Sequence, residues 1–224
     1  MTALHNHGLN DSPRLFYMHF WGTGETTRLA QGLRAALDKT SARSSTWNFD
    51  ADAAGALPGG AEVFSGTWSV RSEADAPSGA NTLCQSGNAE FPALSLGPAV
   101  FKDVTLTTQF KPISGAVDRA AGLIFRVQDS QNYYILRANA LEDNLNFYKY
   151  TAGRRTSLTG SRVTVPSNQW QELGVQVVGN RFIGFLNGQQ LVEATDESYT
   201  MGRVGLWTKA DSTTCFDNVL VSAP

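Results

Sequence analysis

Residues 121–139 read Ala121-Gly122-Leu123-Ile124-Phe125-Arg126-Val127-Gln128, then Asp129-Ser130-Gln131-Asn132, then Tyr133-Tyr134-Ile135-Leu136-Arg137-Ala138-Asn139. Two runs of strand length, rich in branched and aromatic side chains, flank four polar turn formers, which is the signature of a β-hairpin. Side chains alternate across a strand, so Leu123, Phe125 and Val127 are expected to face a core, with Ile124, Arg126 and Gln128 opposite. The same texture runs in both directions. Upstream lie Gly66 to Arg71, Asn81 to Gln85 and the cleanly alternating Val104 to Pro112. Downstream lie Asn144 to Tyr150 and Thr156 to Val163 around Ala152-Gly153-Arg154, then Trp170 to Val178, Arg181 to Leu186 and Gln190 to Ala194. Their connections, Gly179-Asn180 and Asn187-Gly188, favour positive φ and tight hairpins. Arg203 to Thr208 and Thr214 to Val221 close the chain. About a dozen short strands at regular spacing predict an all-β, two-sheet antiparallel sandwich over residues 46–224.

Composition excludes several functions. Of 224 residues, 42% are apolar and 17% charged, enough for a core and too little charge for a disordered chain. A net charge of −2 gives no electrostatic case for nucleic acid or an anionic membrane. No apolar run is long enough to span a bilayer. The three histidines, His5, His7 and His19, all precede residue 20, so a His-based catalytic or metal site would have to recruit the N-terminal segment. Phosphoryl and hydride transfer have no supporting motif.

Residues 1–45 differ from the rest. They carry Arg14, Arg28, Arg34, Lys39 and Arg43 against Asp11, Glu25 and Asp38, a charge of +2, which leaves −4 for the remainder. Thr27 to Lys39 reads as a short amphipathic helix, with Leu29, Leu33, Ala36 and Leu37 on one side. Gly22 to Thr27 is glycine-rich but lacks the Gly-Lys-Ser/Thr ending of a phosphate loop. No clear signal peptide is read, because His19 interrupts the stretch Leu15 to Trp21. The segment is expected to be a loosely attached, partly helical extension, disordered or outside the mature protein.

In order along the chain, Trp47-Asn48-Phe49-Asp50, Gly66-Thr67-Trp68-Ser69-Val70, the central hairpin, Trp170-Gln171-Glu172-Leu173, Phe185-Leu186-Asn187-Gly188, Val204-Gly205-Leu206-Trp207 and Phe216-Asp217-Asn218-Val219 resemble the laminin-G-like, concanavalin A-like jelly rolls. The resemblance is strongest to the bacterial 3-keto-disaccharide hydrolase (DUF1080) group. It implies two curved sheets, paired first and last strands, a concave sheet that faces carbohydrate, and a secreted or periplasmic location. It also implies glycoside hydrolysis as one activity. The Glu-x-Asp-x-Glu strand of the superfamily's glucanases is absent, and Tyr133 to Asn139 carries no acid.

On that reading, one face gathers Arg126, Gln128, Arg137, Asn139, Asn146, Tyr148, Trp207 and Lys209. They combine aromatic plates with forked donors, the mixture that sugar rings and hydroxyls require. Trp47, Trp68 and Trp170 are expected in the core. Asp118, Asp129, Glu142, Asp143, Asp211 and Asp217 are the acids available for general acid–base chemistry, and all lie at turns, where Asp also stabilises bends. No cofactor is expected, although the oxygen-rich loops would permit Ca²⁺. If first and last strands are neighbours, Cys84 and Cys215 meet either as a disulfide or as two buried thiols. Three functions remain open at this point: an extracytoplasmic carbohydrate-binding domain, a 3-keto-disaccharide-type glycoside hydrolase, and a structural or protein-contact sandwich.

Overall fold

A computed structural model describes residues 44–224. The chain divides into two units, Met1–Ala42 and Arg43–Pro224. The helix expected over Thr27 to Lys39 and the Gly22 to Thr27 loop lie outside the described residues.

The strands in chain order are β1 (Ser44–Trp47), β2 (Glu62–Ser65), β3 (Trp68–Ser72), β4 (Asn81–Gln85), β5 (Ala93–Ser95), β6 (Val104–Ser114), β7 (Ala120–Asp129) and β8 (Asn132–Asn139). They continue with β9 (Asn144–Thr151), β10 (Arg154–Arg162), β11 (Gln171–Val178), β12 (Arg181–Leu186), β13 (Gln189–Thr195), β14 (Arg203–Trp207) and β15 (Thr213–Ser222). One sheet has eight strands in the order β13-β12-β11-β6-β15-β4-β3, with β1 also paired to β15. The other has seven, β10-β9-β8-β7-β14-β5-β2. All pairings are antiparallel, and the described residues contain no helix. The first strand does lie against the last, with Trp47 opposite Val219.

Between the sheets lies a core built from both. Val70, Leu83, Leu106, Phe110, Leu173, Val175 and Phe216 come from the eight-stranded sheet, and Leu123, Phe125, Leu136, Phe147 and Leu206 from the seven-stranded one. Trp68 belongs to this core and donates from Nε1 to the Ser65 carbonyl at 2.9 Å. Trp47 packs on the core's margin. Trp170 is the exception to the expected burial, because it sits half-buried outside the core with the Lys111 ammonium 5.7 Å from its ring.

Cys84 and Cys215 face each other across β4 and β15 and form a disulfide, with Cα atoms 4.0 Å apart. It closes a loop of 131 residues and ties the last strand to an early one.

Within β7 the alternation slips. Arg126 adopts φ +50° and the β7–β8 register breaks after Phe125. The extra residue exchanges the two faces. Val127 joins an apolar cluster on the outer face, while Arg126 turns to the core side, its guanidinium 5.3 Å from the Phe182 ring. The expected positions of Arg126 and Val127 are therefore reversed, and the physical cause is the left-handed residue.

Candidate functional site

The outer face of the seven-stranded sheet carries a second apolar cluster: Ala93, Ala120, Ile124, Val127, Tyr133, Ile135, Tyr148 and Trp207. Strand register explains how it assembles. Arg137 lies opposite Gly122 on one side and Asn146 on the other, and Gly122 lies opposite Trp207. One lateral row therefore reads Asn146, Arg137, Gly122, Trp207. Gly122 is needed in that row, because a Cβ there would sit 3.1 Å from the Trp207 ring and from the Leu136 carbonyl oxygen. The indole fills the space that a side chain would have taken.

Arg137 is 1% exposed and is the charged centre of the row. Its Nη2 donates to Glu142 at 2.6 Å and to Asn144 at 2.7 Å. Asn146 accepts from Arg137 at 3.2 Å and from the Tyr148 hydroxyl at 2.9 Å, while donating to the Leu145 carbonyl. The Arg137 guanidinium also lies over the Tyr148 ring. Burial pushes the Glu142 carboxyl up, but the Asn144 amide and the Arg137 guanidinium outweigh it and hold it below the usual carboxylate range. The Glu142 side chain is half exposed, so it presents a fixed anionic acceptor at the rim.

Arg155 completes the face. Its opposite residue in the β9–β10 hairpin is Tyr150, which places it on the Tyr148 side of the sheet. Its guanidinium lies 4.4 Å from the Tyr148 ring, 5.1 Å from Phe91 and 5.7 Å from Trp207. Burial first, and then the neighbouring Arg137 charge, lower its pKa, with Tyr148 opposing. Phe91 stacks on Trp207 with centroids 5.9 Å apart. Lys209 reaches Asp118 at 3.2 Å and lies 5.5 Å from the Phe91 ring. Asn139 donates to the same Asp118 at 2.6 Å. Beyond Phe91, a cleft of about 240 Å³ is lined by Phe64, Glu90, Tyr133 and Tyr150 among others. Burial pushes the Tyr133 hydroxyl far above the usual phenol range.

Six of the eight residues read from the sequence thus meet on or beside this face: Arg137, Asn139, Asn146, Tyr148, Trp207 and Lys209. Two do not. Arg126 donates to the Tyr199 and Lys102 carbonyls at 2.9 and 3.2 Å and to the Gly179 carbonyl, stapling three loops. Gln128, in phase with Arg126 after the slip, donates its amide to the Arg126 and Met201 carbonyls. Trp207 is on the expected face but 0% exposed, so Phe91 and Arg155, not solvent, meet its ring.

Four of the six acids have structural partners. Asp129 caps its own turn at Gln131 and Asn132. Asp143 accepts from the Val165 amide. Asp211 accepts from the amides of residues 116–118. Asp217 is buried against Ser78. Only Asp118 and Glu142 belong to the face, and each is ion-paired. Glu73, Cys84 and Cys215 cluster closely enough to suggest ligation, but both sulfurs are spent in the disulfide.

Among the described residues, three buried donors without acceptors lie on this face, Arg137 Nε, Arg155 Nη1 and Trp207 Nε1, and three lie elsewhere, Arg119 Nε, Arg126 Nε and Trp170 Nε1. Arg155 and Phe91 were not expected there. Reading Arg154 as a turn residue hid Arg155; the turn is Ala152-Gly153, both with positive φ, and Arg154 already pairs with Thr151. Phe91 lies in the irregular segment between β4 and β5, where no periodicity assigns a face.

Residues 61–222 match the model of the 3-keto-alpha-glucoside-1,2-lyase-like domain. Residues 1–39 match a model described as a domain of unknown function, DUF1259. Levanase of Bacillus subtilis is 26% identical over 138 residues, which are 60% of this chain and 20% of levanase. The chain therefore spans about a fifth of that relative's length. Among solved structures, the carbohydrate binding module CBM66 from Bacillus subtilis superposes with a TM-score of 0.62 at 22% identity, covering 73% of this chain and 96% of the module. A β-glucanase of Bacillus licheniformis gives 0.54 at 12% identity, covering 81% of this chain and 98% of the enzyme. These likenesses establish the jelly-roll fold.

Proposed function

From the premise that the chain belongs to the 3-keto-alpha-glucoside-1,2-lyase-like domain family, we propose that it is a carbohydrate-interacting domain that docks saccharide on the outer face of its seven-stranded sheet. This is the face the sequence reading took as concave. The observation that carries the proposal is a forked donor beside a partly exposed aromatic ring: Arg155, which has no hydrogen-bond partner among the described residues, lies 5.1 Å from Phe91. A hydroxyl-rich ligand supplies acceptors to such a donor while its apolar ring face meets the aromatic plate. Phe91 offers a partly exposed ring for an apolar sugar face, and Glu142, Asn144 and Asn146 offer fixed polar partners at its rim. The resemblance to CBM66 supports binding as the domain's role.

Binding fits the carboxylates better than cleavage does. A general acid must hold its proton near neutral pH. Glu142 is shifted the other way, and Asp118 is engaged by Lys209 and Asn139. The disulfide supports a secreted or periplasmic location, since such bonds persist in oxidising compartments. No helix among the described residues is long and apolar enough to cross a membrane.

The test is a glycan array probed with the full chain, followed by calorimetry on the best ligands and mass spectrometry of the recovered sugars. Binding that weakens in Asn144→Ala and Glu142→Gln, with the sugar recovered intact, is the expected result. Retained affinity in both variants removes the face from the account. A cleaved sugar would shift the reading to catalysis, with Asp118 and Glu142 as its first candidates.

A further inference from the structure

Of the three cations on this face, Arg137, Arg155 and Lys209, two are ion-paired and one is not. Glu142 is paired with Arg137 at 2.6 Å and Asp118 with Lys209 at 3.2 Å. Arg155 forms no ion pair and no hydrogen bond with any group among the described residues, although three aromatic rings surround it. A partly buried guanidinium ordinarily finds a carboxylate, because desolvation without a partner is expensive. Stacking on Tyr148 recovers part of that cost. It leaves the edge of the guanidinium plane without an acceptor from the protein. Nη1 is enclosed and unpartnered, and so is Nε of the neighbouring Arg137, which is 1% exposed. Two neighbouring guanidinium groups thus each hold an unpaired donor and add their positive fields.

We infer that the saccharide taken by this face carries a singly charged acidic group, a uronate carboxylate or a sulfate ester, that docks on the free edge of Arg155. The inference rests on the saccharide reading above and names the class of sugar. A neutral sugar would supply hydroxyl acceptors but leave Arg155 without an ion pair. A planar carboxylate or the oxygens of a sulfate match the guanidinium fork with two parallel hydrogen bonds. One unpaired cation calls for one negative charge. The partly exposed Phe91 ring suits the apolar ring face beside the charged substituent.

The test compares chemical twins on the full chain. Oligogalacturonate is titrated against the same oligomer with its carboxyls methyl-esterified, and a sulfated galactan oligomer against its desulfated form. At least one acidic form is expected to bind about tenfold or more tightly than its neutral twin, the size of a charge-assisted bidentate contact. The advantage should shrink as salt is raised from roughly 50 to 500 mM, because charge at a rim is screened. Arg155→Gln should bring the affinities of the twins together, and Arg155→Lys, which keeps the charge and loses the fork, should fall between. Melting curves of both variants confirm that the fold persists. Neutral twins binding as tightly as acidic ones, or a preference that survives in Arg155→Gln, would overturn the inference and leave saccharide binding standing. No binding of any saccharide, acidic or neutral, would overturn both.

Discussion

On the outside of the eight-stranded sheet, Thr46, Thr107, Gln109, Glu172 and Asn218 border an open groove of about 330 Å³. On the outside of the seven-stranded sheet, Trp207, Tyr148 and Tyr133 lie buried beneath Phe91, Arg155 and their neighbours. Both faces come from the same alternation of side chains, yet one is a solvated polar surface and the other holds a second aromatic cluster. The difference arises outside the strands. The segment between β4 and β5 brings Phe91 across Trp207, and the tight β9–β10 turn brings Arg155 over Tyr148. Alternation settles which residues leave the core. What then covers them decides whether they become surface or site.

The largest effect that could break this contrast is at Trp207. If the second cluster is as well packed as a core, Trp207→Ala should cost about 3–5 kcal/mol of stability in urea unfolding, as core aromatic truncations do. A loss under about 1 kcal/mol, the scale of ordinary surface changes, would show that the cluster is a loose surface patch. Next comes the disulfide, which ties two strands of the other sheet. Replacing both cysteines by Ala should lower stability by about 2–5 kcal/mol, given the long loop that it closes.

A smaller effect is expected at Asp196, which directly follows β13, the edge strand of the eight-stranded sheet. Burial pushes the Asp196 carboxyl up, but Lys149 at 2.7 Å, Ser198 and the Tyr134 hydroxyl outweigh it and hold it far below the usual aspartate range. A carboxyl with a depressed folded pKa stabilises fully above its unfolded value, about pH 4, and loses that contribution as pH falls through the folded value. Asp196→Asn should therefore cost about 1–2 kcal/mol at neutral pH, the worth of hydrogen bonds to a charged group, and the gap to wild type should narrow below pH ~4. A gap that stays constant down to pH ~2 would contradict the assignment, since both states would then lack the titration. Least of all should matter on the solvated face. Gln109→Ala is expected to change stability by under about 0.5 kcal/mol and to leave saccharide affinity alone.

The sandwich was legible because its signals are local. The hairpin at 121–139, the turns Gly179-Asn180 and Asn187-Gly188, and the alternation of Val104 to Pro112 all appear as strands near the expected bounds. The short strands β2 and β5 carry too few residues for a period to show. The Arg137, Asn146, Tyr148 and Trp207 face was legible for the same reason, since regular strands carry all four. Arg126 was misread because nothing in its sequence context marks a left-handed residue; neither Gly nor Asn signals the bulge. Phe91 was invisible because its position depends on a loop packing against strands distant in sequence.

The central claim is that one outer face binds saccharide and the other does not. The most direct test is an NMR titration of the isotopically labelled full chain with the best ligand from the glycan array. Shift changes should concentrate on Phe91, Glu142, Asn144, Asn146, Arg155 and Lys209, with Thr107, Gln109, Glu172 and Asn218 unmoved. Changes concentrated on Thr107, Gln109, Glu172 and Asn218 instead, with Arg155 and Asn146 silent, would contradict the account.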